Sequence, residues 1–394
     1  MNQWGLNSQK NHQINDPTGG WITEQVFHTG EAFFTDLCEH LLGAQTSIDL
    51  ETYIFQNDAL GDRIAAALGV AAKTRGVLVR VLVDGFGSPT FIRHYQQKLT
   101  LAGVQTKIYH PLGLKSLNRR NHRKVCLIDD AMAWIGSMNV SGLHLDHTSS
   151  RGHSTKQWRD TGARVSGHQV KLFKWAFDQA WGSARVWQMG LTPRSLNRTL
   201  YQELQQKNKL LVRLNWTHRL RRHRNTELVQ RIRQAQRRVW ITTPYFVPPL
   251  RLLRALRARP RAGGELNIDI RILLPHKSDV FFSRWVSTLF FKILLKAGVR
   301  IFEYKPSFLH AKTLLIDDWA TVGSSNMNYR SFFHDLEADV VLTQSQSILS
   351  LETQFEKDLM QSREITLESW GRRPWYHYVT DLIAHFFGIL RRYM

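Results

Sequence analysis

The sequence predicts an α/β fold in which one unit is written twice. Three observations carry that reading. Short β-branched runs alternate with helical stretches, the signature of α/β layering. Four landmarks return in the same order after 188 to 195 positions. The chain has 394 residues, 43% of them apolar, enough for two ordinary cores.

The elements can be taken in chain order. "TSIDLETYIF" (46–55) and "VLVRVLVDG" (77–85) read as buried strands. Between them "LGDRIAAALGVAAKTRG" reads as a helix closed by Gly76. Then comes "LAGVQTKIYHP" around Gly103, followed by "NHRKVCLIDDAMAWIGSMN" (121–139). The second copy runs "RRVWITTPYFVP" (237–248), "IDIRILLPH" (268–276), "KAGVRIFEYKP" around Gly298, and "LHAKTLLIDDWATVGSSN" (309–326). Tyr53 and Tyr245 lie 192 positions apart, Gly103 and Gly298 195, His122 and His310 188. Such small differences are loop insertions between duplicated halves. "LLVRLNW" is expected to open the second half as a strand, next to the basic segment "HRLRRHRN" (218–225).

Each half carries His-x-Lys-x4-Asp followed by Gly-Ser-x-Asn. The first set is His122, Lys124, Asp129, Ser137 and Asn139; the second is His310, Lys312, Asp317, Ser324 and Asn326. Residues two apart on a strand share a face, so each His and Lys can address one site. A neutral imidazole is a nucleophile toward phosphorus, and a protonated one can supply a proton to a leaving alkoxide. Lysine, asparagine and serine side chains suit the charge of a phosphodiester transition state. One half supplies half of this set, so a shared site needs both. Asp129 and Asp317 are carried with the catalytic set, but a tie between strands is the preferred role for them.

Two cysteines, Cys38 and Cys126, make neither a disulfide framework nor a zinc-binding spacing. Residues 1–20 are polar and read as a flexible tail without a signal peptide. No run of about 18 apolar residues suggests a membrane span. The net charge of +21 points to a polyanionic partner, either nucleic acid or an anionic membrane.

The duplicated motif resembles the phospholipase D superfamily. Within it, "LETYIF", "VLVDGFGSP", "HRKVCLID", "FEYKPSFLHAK" and "DDWATVGSSNMNYRS" are most similar to bacterial cardiolipin synthases, of the B type without N-terminal membrane helices. The resemblance spans residues 25–345. It implies two α/β/α sandwich halves forming one bilobal unit around a shared central active site. It implies ping-pong phosphatidyl transfer through a phosphohistidine, with His122 as nucleophile and His310 as acid/base. The residues by themselves allow either order. It also implies a carboxylate orienting each histidine; the candidates are Asp160 and Glu337, taken with the histidine of their own half, 38 and 27 residues earlier. The lysines supply the positive charge, so neither metal nor cofactor is required.

Phosphatidylglycerol in an anionic phospholipid membrane is the expected substrate, at the cytoplasmic face, with the protein bound peripherally. Nucleic acid is disfavoured: no recognised binding module is present, and both motifs keep the Asp that the tyrosyl-DNA phosphodiesterase branch lacks. A phospholipid hydrolase and a phosphodiester nuclease are the alternative activities. The loop before His122 is longer than its counterpart and brings Lys115, Arg119 and Arg120 to the expected site mouth. The segment 369–394 reads as an amphipathic membrane-surface helix presenting Trp375, Phe386 and Phe387. The expected layout is a first half over 21–190, a linker over 191–208 and a second half over 209–368.

Overall fold

A computed structural model describes residues 20–111, 119–145, 147–148, 154–155, 157–186, 210–258, 268–279 and 286–372. The expected tail, the expected linker, Lys115 and the segment with Trp375, Phe386 and Phe387 lie outside the described residues, except for Gly20 and the first residues of 369–394.

The first half contains β1 (Thr23–Phe27), β2 (Ser47–Thr52), β3 (Leu78–Asp84), β4 (Gln105–Tyr109), β5 (Val125–Ile128), β6 (Met132–Gly136), the short ribbon β7 (His147–Thr148) and β8 (Ser154–Thr155), and β9 (Gly162–Ser166). The second contains β10 (Val212–Leu214), β11 (Arg238–Thr242), β12 (Phe246–Val247), β13 (Asp269–Pro275), β14 (Arg300–Tyr304), β15 (Thr313–Ile316), β16 (Trp319–Gly323), β17 (Met327–Asn328), β18 (Ala338–Leu342) and β19 (Ser362–Ile365).

The first sheet runs β1-β9-β6-β5-β2-β3-β4 and the second β10-β18-β16-β15-β11-β13-β14-β19. Strand for strand the orders superpose, and so do the directions. β2, β3 and β4 are parallel, as are β11, β13 and β14, while β5 and β15 pair antiparallel with β2 and β11 and form antiparallel hairpins with β6 and β16. The second half adds β19 at its edge. The duplication is therefore one of topology. "LLVRLNW" does form a strand, β10, at the edge beside β18.

Local chemistry explains the elements. The helix Ala59–Arg75 starts with the Asp58 side chain accepting the Gly61 N–H and ends at Gly76 in the left-handed region, φ 67°. Gly103 and Gly298 take the same conformation at equivalent turns, φ 88° and 86°. "HRLRRHRN" opens the helix His218–Gln234, capped by Thr217. Two outer cores pack helices on each sheet. A third, continuous core joins the halves: Val125, Leu127 and Phe173 of the first half share it with Leu315, Val340 and Phe355 of the second.

Asp129 and Asp317 follow β5 and β15, at the strand ends away from the histidines, both with positive φ (55° and 51°). The Asp129 carboxylate accepts the backbone N–H groups of Gln45, Thr46 and Ser47. Asp317 accepts those of Gln236, Arg237 and Arg238. Burial pushes each carboxyl upward, but these N–H groups outweigh it and hold both below the usual range. Their place in the catalytic set is corrected: they tie the hairpin to the turn that starts β2 or β11.

Asp317→Ala should therefore lower stability by about 1–2 kcal/mol, and Asp129→Ala similarly. A carboxylate with a depressed folded pKa stabilises above its unfolded value and loses that contribution as pH falls. The difference between wild type and variant in thermal melts should therefore shrink as the pH is lowered below about 4. A pH-independent difference would assign the loss to packing.

Candidate active site

His122 and His310 stand just before β5 and β15, where the chain leaves its own sheet and meets the other half. Asn121 forms an isolated parallel bridge with Leu336, and Leu309 one with Arg159. The His122 N–H donates to the Leu336 carbonyl at 3.0 Å, and the His310 N–H to the Arg159 carbonyl at 2.8 Å. These bridges bring Glu337 beside His122 and Asp160 beside His310.

His122 Nδ1 lies 3.1 Å from Glu337 Oε2, and His310 Nδ1 2.9 Å from Asp160 Oδ2. Each histidine is thus held by a carboxylate of the opposite half. The expected pairing within a half is corrected. The bridge sets the partner, because it places the residue after Leu336, or after Arg159, against the neighbouring histidine. Proton on Nδ1 leaves the Nε2 lone pair of each ring as the reacting position.

The carboxylates are anchored in turn. Asp160 accepts from the Ser137 hydroxyl and, at 3.0 Å, from the Thr161 N–H. Glu337 accepts from the Ser324 hydroxyl and, at 2.6 Å, from that of Ser331. The two serines, expected on phosphate, are thereby corrected: their protons are committed to the orienting carboxylates. The motif glycines allow the approach. A Cβ on Gly136 would stand 2.7 Å from the Thr161 oxygen, and one on Gly323 2.6 Å from the Ala338 oxygen.

The asparagines fix the loop beyond. The Asn139 N–H donates to His144 Nε2 at 3.1 Å, and the Asn326 N–H to Ser331 Oγ at 3.2 Å. Asn139 Oδ1 accepts the Ile54 N–H at 3.2 Å, whereas Asn326 Oδ1 is buried without a partner among the described residues. His144 also brings Nδ1 to 3.2 Å from Asp160 Oδ2. His144 and Ser331 are therefore equivalent anchors, each linking a motif asparagine to an orienting carboxylate. Both were missed in the sequence. The signal was present, since each lies five residues after its asparagine.

Lys124 Nζ donates to the His122 carbonyl at 2.6 Å; Lys312 Nζ donates to the His310 carbonyl at 2.7 Å and lies 3.1 Å from His310 Nε2. Burial, with Lys312 second, pushes Lys124 down to about 7, and burial pushes Lys312 down to about 8. Burial likewise lowers both histidines, with the neighbouring lysine adding to it; His310 falls to about 3. Glu337 stays below its usual range despite burial, held there by His122. Without an anion, four buried basic groups disfavour one another's charge; a phosphodiester would restore it.

Arg119 and Arg120 depart from the expected surface role. Arg120 is only 4% exposed, donates to the His110 carbonyl at 3.0 Å and faces Asp84. Arg119 donates to the Trp216 carbonyl and stacks 5.1 Å from that ring. Both brace the wall beside His122 from within.

The family model for "Cardiolipin synthase, PLD-like domain" matches residues 37–150 and 228–359, once in each half. The chain belongs to this family. Its relatives include cardiolipin synthase 1 of Bacillus cereus, 32% identical over 91% of this chain and 70% of that protein. The family member of Halalkalibacterium halodurans, a cardiolipin synthase, is 31% identical over 93% and 72%. Among solved structures, the phosphatidylserine synthase of Haemophilus influenzae superposes with a TM-score of 0.66 at 15% identity, covering 94% of each chain. The polyphosphate kinase of Porphyromonas gingivalis reaches 0.54 at 14% identity, covering 86% of this chain and 50% of that one. These two likenesses show the fold.

Two outcomes are expected. Glu337→Gln should cut kcat by about 10²–10⁴ with a small change in KM, because it removes the charge behind His122. Retention of wild-type kcat would remove Glu337 from the catalytic unit. Lysines lowered to about 7 and 8 are cations below those values and neutral above them. Phosphodiester affinity should thus fall as pH rises from 7 to 9, and calorimetry in buffers of different ionisation heat should show proton uptake on binding.

Proposed function

We propose that this chain transfers phosphatidyl groups between phospholipids, forming cardiolipin and glycerol from two molecules of phosphatidylglycerol. The pair of His–Lys sets, one per half and each braced by the other half's carboxylate, carries the reading. The substrate class comes from the family, whose matched members bear the name cardiolipin synthase.

In this mechanism His122 Nε2 attacks the phosphorus of the first lipid. A P–N bond forms, and the bond from phosphorus to the glycerol oxygen breaks. Protonated His310 gives its proton to the departing alkoxide. The hydroxyl of the second lipid then yields its proton to His310 and attacks phosphorus. The P–N bond breaks, and cardiolipin leaves with His122 restored. Accessibility favours this order: the His122 side chain is 14% exposed and that of His310 5%. Lys312 already occupies His310 Nε2, whereas no described residue donates to His122 Nε2. The phosphodiester anion raises the basicity of His310 and of both lysines, so the acid is charged when substrate is present. Asn139 and Asn326 serve the phosphate oxygens through their Nδ2 groups.

The substrate places the enzyme at an anionic membrane surface, peripheral and on the cytoplasmic face. Among the described residues no helix is long and apolar enough to cross a membrane. The segment with Trp375, Phe386 and Phe387 is assigned to the same surface. We assign the halves to 21–190 and 209–368, and the B type on the stretches "LETYIF", "VLVDGFGSP" and "HRKVCLID".

Incubating purified protein with phosphatidylglycerol vesicles should give cardiolipin by mass spectrometry. His122→Ala and His310→Ala should each lower the yield by at least about 10³-fold with unchanged melting temperature. Phosphatidic acid as sole product would make the chain a hydrolase. Near-normal yield from either variant would overturn the two-histidine scheme.

A further inference from the structure

Three large aromatic side chains are exposed around the wall that holds His122: Phe86 (54%), Tyr329 (50%) and Phe333 (41%). They belong to two segments of chain. Phe86 follows β3, while Tyr329 and Phe333 open and close the short helix Tyr329–Phe333. The Tyr329 and Phe333 rings are 4.5 Å apart, and Tyr329 lies 5.6 Å from His334.

A chain of contacts links them to one another and to the site. The Arg120 guanidinium stands 5.3 Å from the Phe86 ring, and the Arg120 N–H donates to Asp335 Oδ1. Arg330 grips Asp335 through two hydrogen bonds, at 3.0 and 2.7 Å. Arg120 lies two residues before His122, and Asp335 two before Glu337. Tyr53, 5.1 Å from the His122 ring, feels the charges of Asp84, Asp335, Arg120 and Arg330. The aromatics therefore adjoin the wall that holds the proposed nucleophile.

The charge around the rim has one sign. Arg330 is half exposed, and Arg221 donates to the Phe333 and His334 carbonyls from the helix His218–Gln234. On that helix His218 and Arg222, both exposed, flank Arg221. The two carboxylates of the wall, Asp84 and Asp335, are buried and paired with arginine. Exposed rings between exposed arginines match a bilayer interface, where apolar bodies enter the headgroup layer and cations meet lipid phosphates.

We propose that this rim, Phe86, Tyr329 and Phe333 with Arg222 and Arg330, docks the enzyme on an anionic bilayer with the His122 side facing the lipid. The inference rests on the phosphatidyl-transfer reading and adds to it the face that meets the substrate. The donor phosphodiester would then pass from the headgroup layer to His122 without leaving the interface.

The test uses the full chain and needs no turnover. Co-sedimentation would be measured with vesicles of phosphatidylcholine alone and with phosphatidylglycerol added, over a salt series. A Phe86→Ser/Tyr329→Ser/Phe333→Ser variant should bind the anionic vesicles at least about tenfold more weakly. Arg222→Gln should flatten the salt dependence. Both should melt like the wild type, because the altered side chains are exposed. With vesicle lipid as substrate, the aromatic variant should show a raised apparent KM and a kcat near that of the wild type. Unchanged vesicle binding by the aromatic variant would overturn the proposal. So would loss of single-stranded oligonucleotide binding with vesicle binding intact, which would make the rim a base-stacking surface. If the wild type formed no lipid product while the aromatic variant lost vesicle binding, docking would stand and the transfer reading would fall.

Discussion

The whole arrangement depends on a reciprocal exchange between halves. His122 is held by Glu337, and His310 by Asp160. Neither half owns a complete dyad, so a catalytic unit exists only where the two sheets meet. The continuous core across that seam keeps the meeting fixed, with Val125 and Leu127 of β5 sharing it with Leu315 of β15. Backbone bridges at Asn121–Leu336 and Leu309–Arg159 set the register. A shift of either bridge by one residue would turn the carboxylate to the opposite face of its strand.

Burial then gives the site its chemistry. Two lysines, two histidines and two carboxylates lie together at the seam. Burial first, and then a neighbouring lysine for Lys124 and both histidines, lowers the basicity of these groups. A phosphodiester anion would raise it, and the transition state, which gathers more negative charge, would raise it further. Selectivity for anionic substrates and transition-state stabilisation thus come from the same desolvated cations.

The sequence made the duplication legible because strands, turns and motifs repeat at nearly constant offsets, and the structure repeats the strand order with them. The His and Lys positions were legible because a spacing of two on a strand implies a common face. The carboxylates Asp160 and Glu337 were found, but their partners were not. Nearness in sequence suggests the same half, and only the bridge across the seam reverses it. Ser137 and Ser324 read as phosphate ligands because a hydroxyl beside a motif asparagine suits one, yet its proton has a stronger acceptor in the carboxylate behind. Arg120 read as a cation at the site mouth because its loop is longer than its counterpart in the second half. The structure buries it against Asp84, which no local pattern announces.

Duplication supplies two equivalent dyads, yet a transfer reaction needs two different roles. The differences are already built in around the rings. Beside His122 stands Tyr53, and behind Glu337 stands the hydroxyl of Ser331. Beside His310 stand Trp158 and Phe308, with ring centroids 5.2 and 5.9 Å away, and behind Asp160 stands the imidazole of His144. His144 Nε2 accepts the Asn139 N–H. The His310 dyad thus rests on an imidazole at the place where the His122 dyad has a hydroxyl. The more enclosed His310 also shares its Nε2 with Lys312, while His122 keeps a free lone pair. The asymmetry needed for one nucleophile and one proton carrier therefore resides in the neighbours of the histidines, while the histidines themselves remain copies.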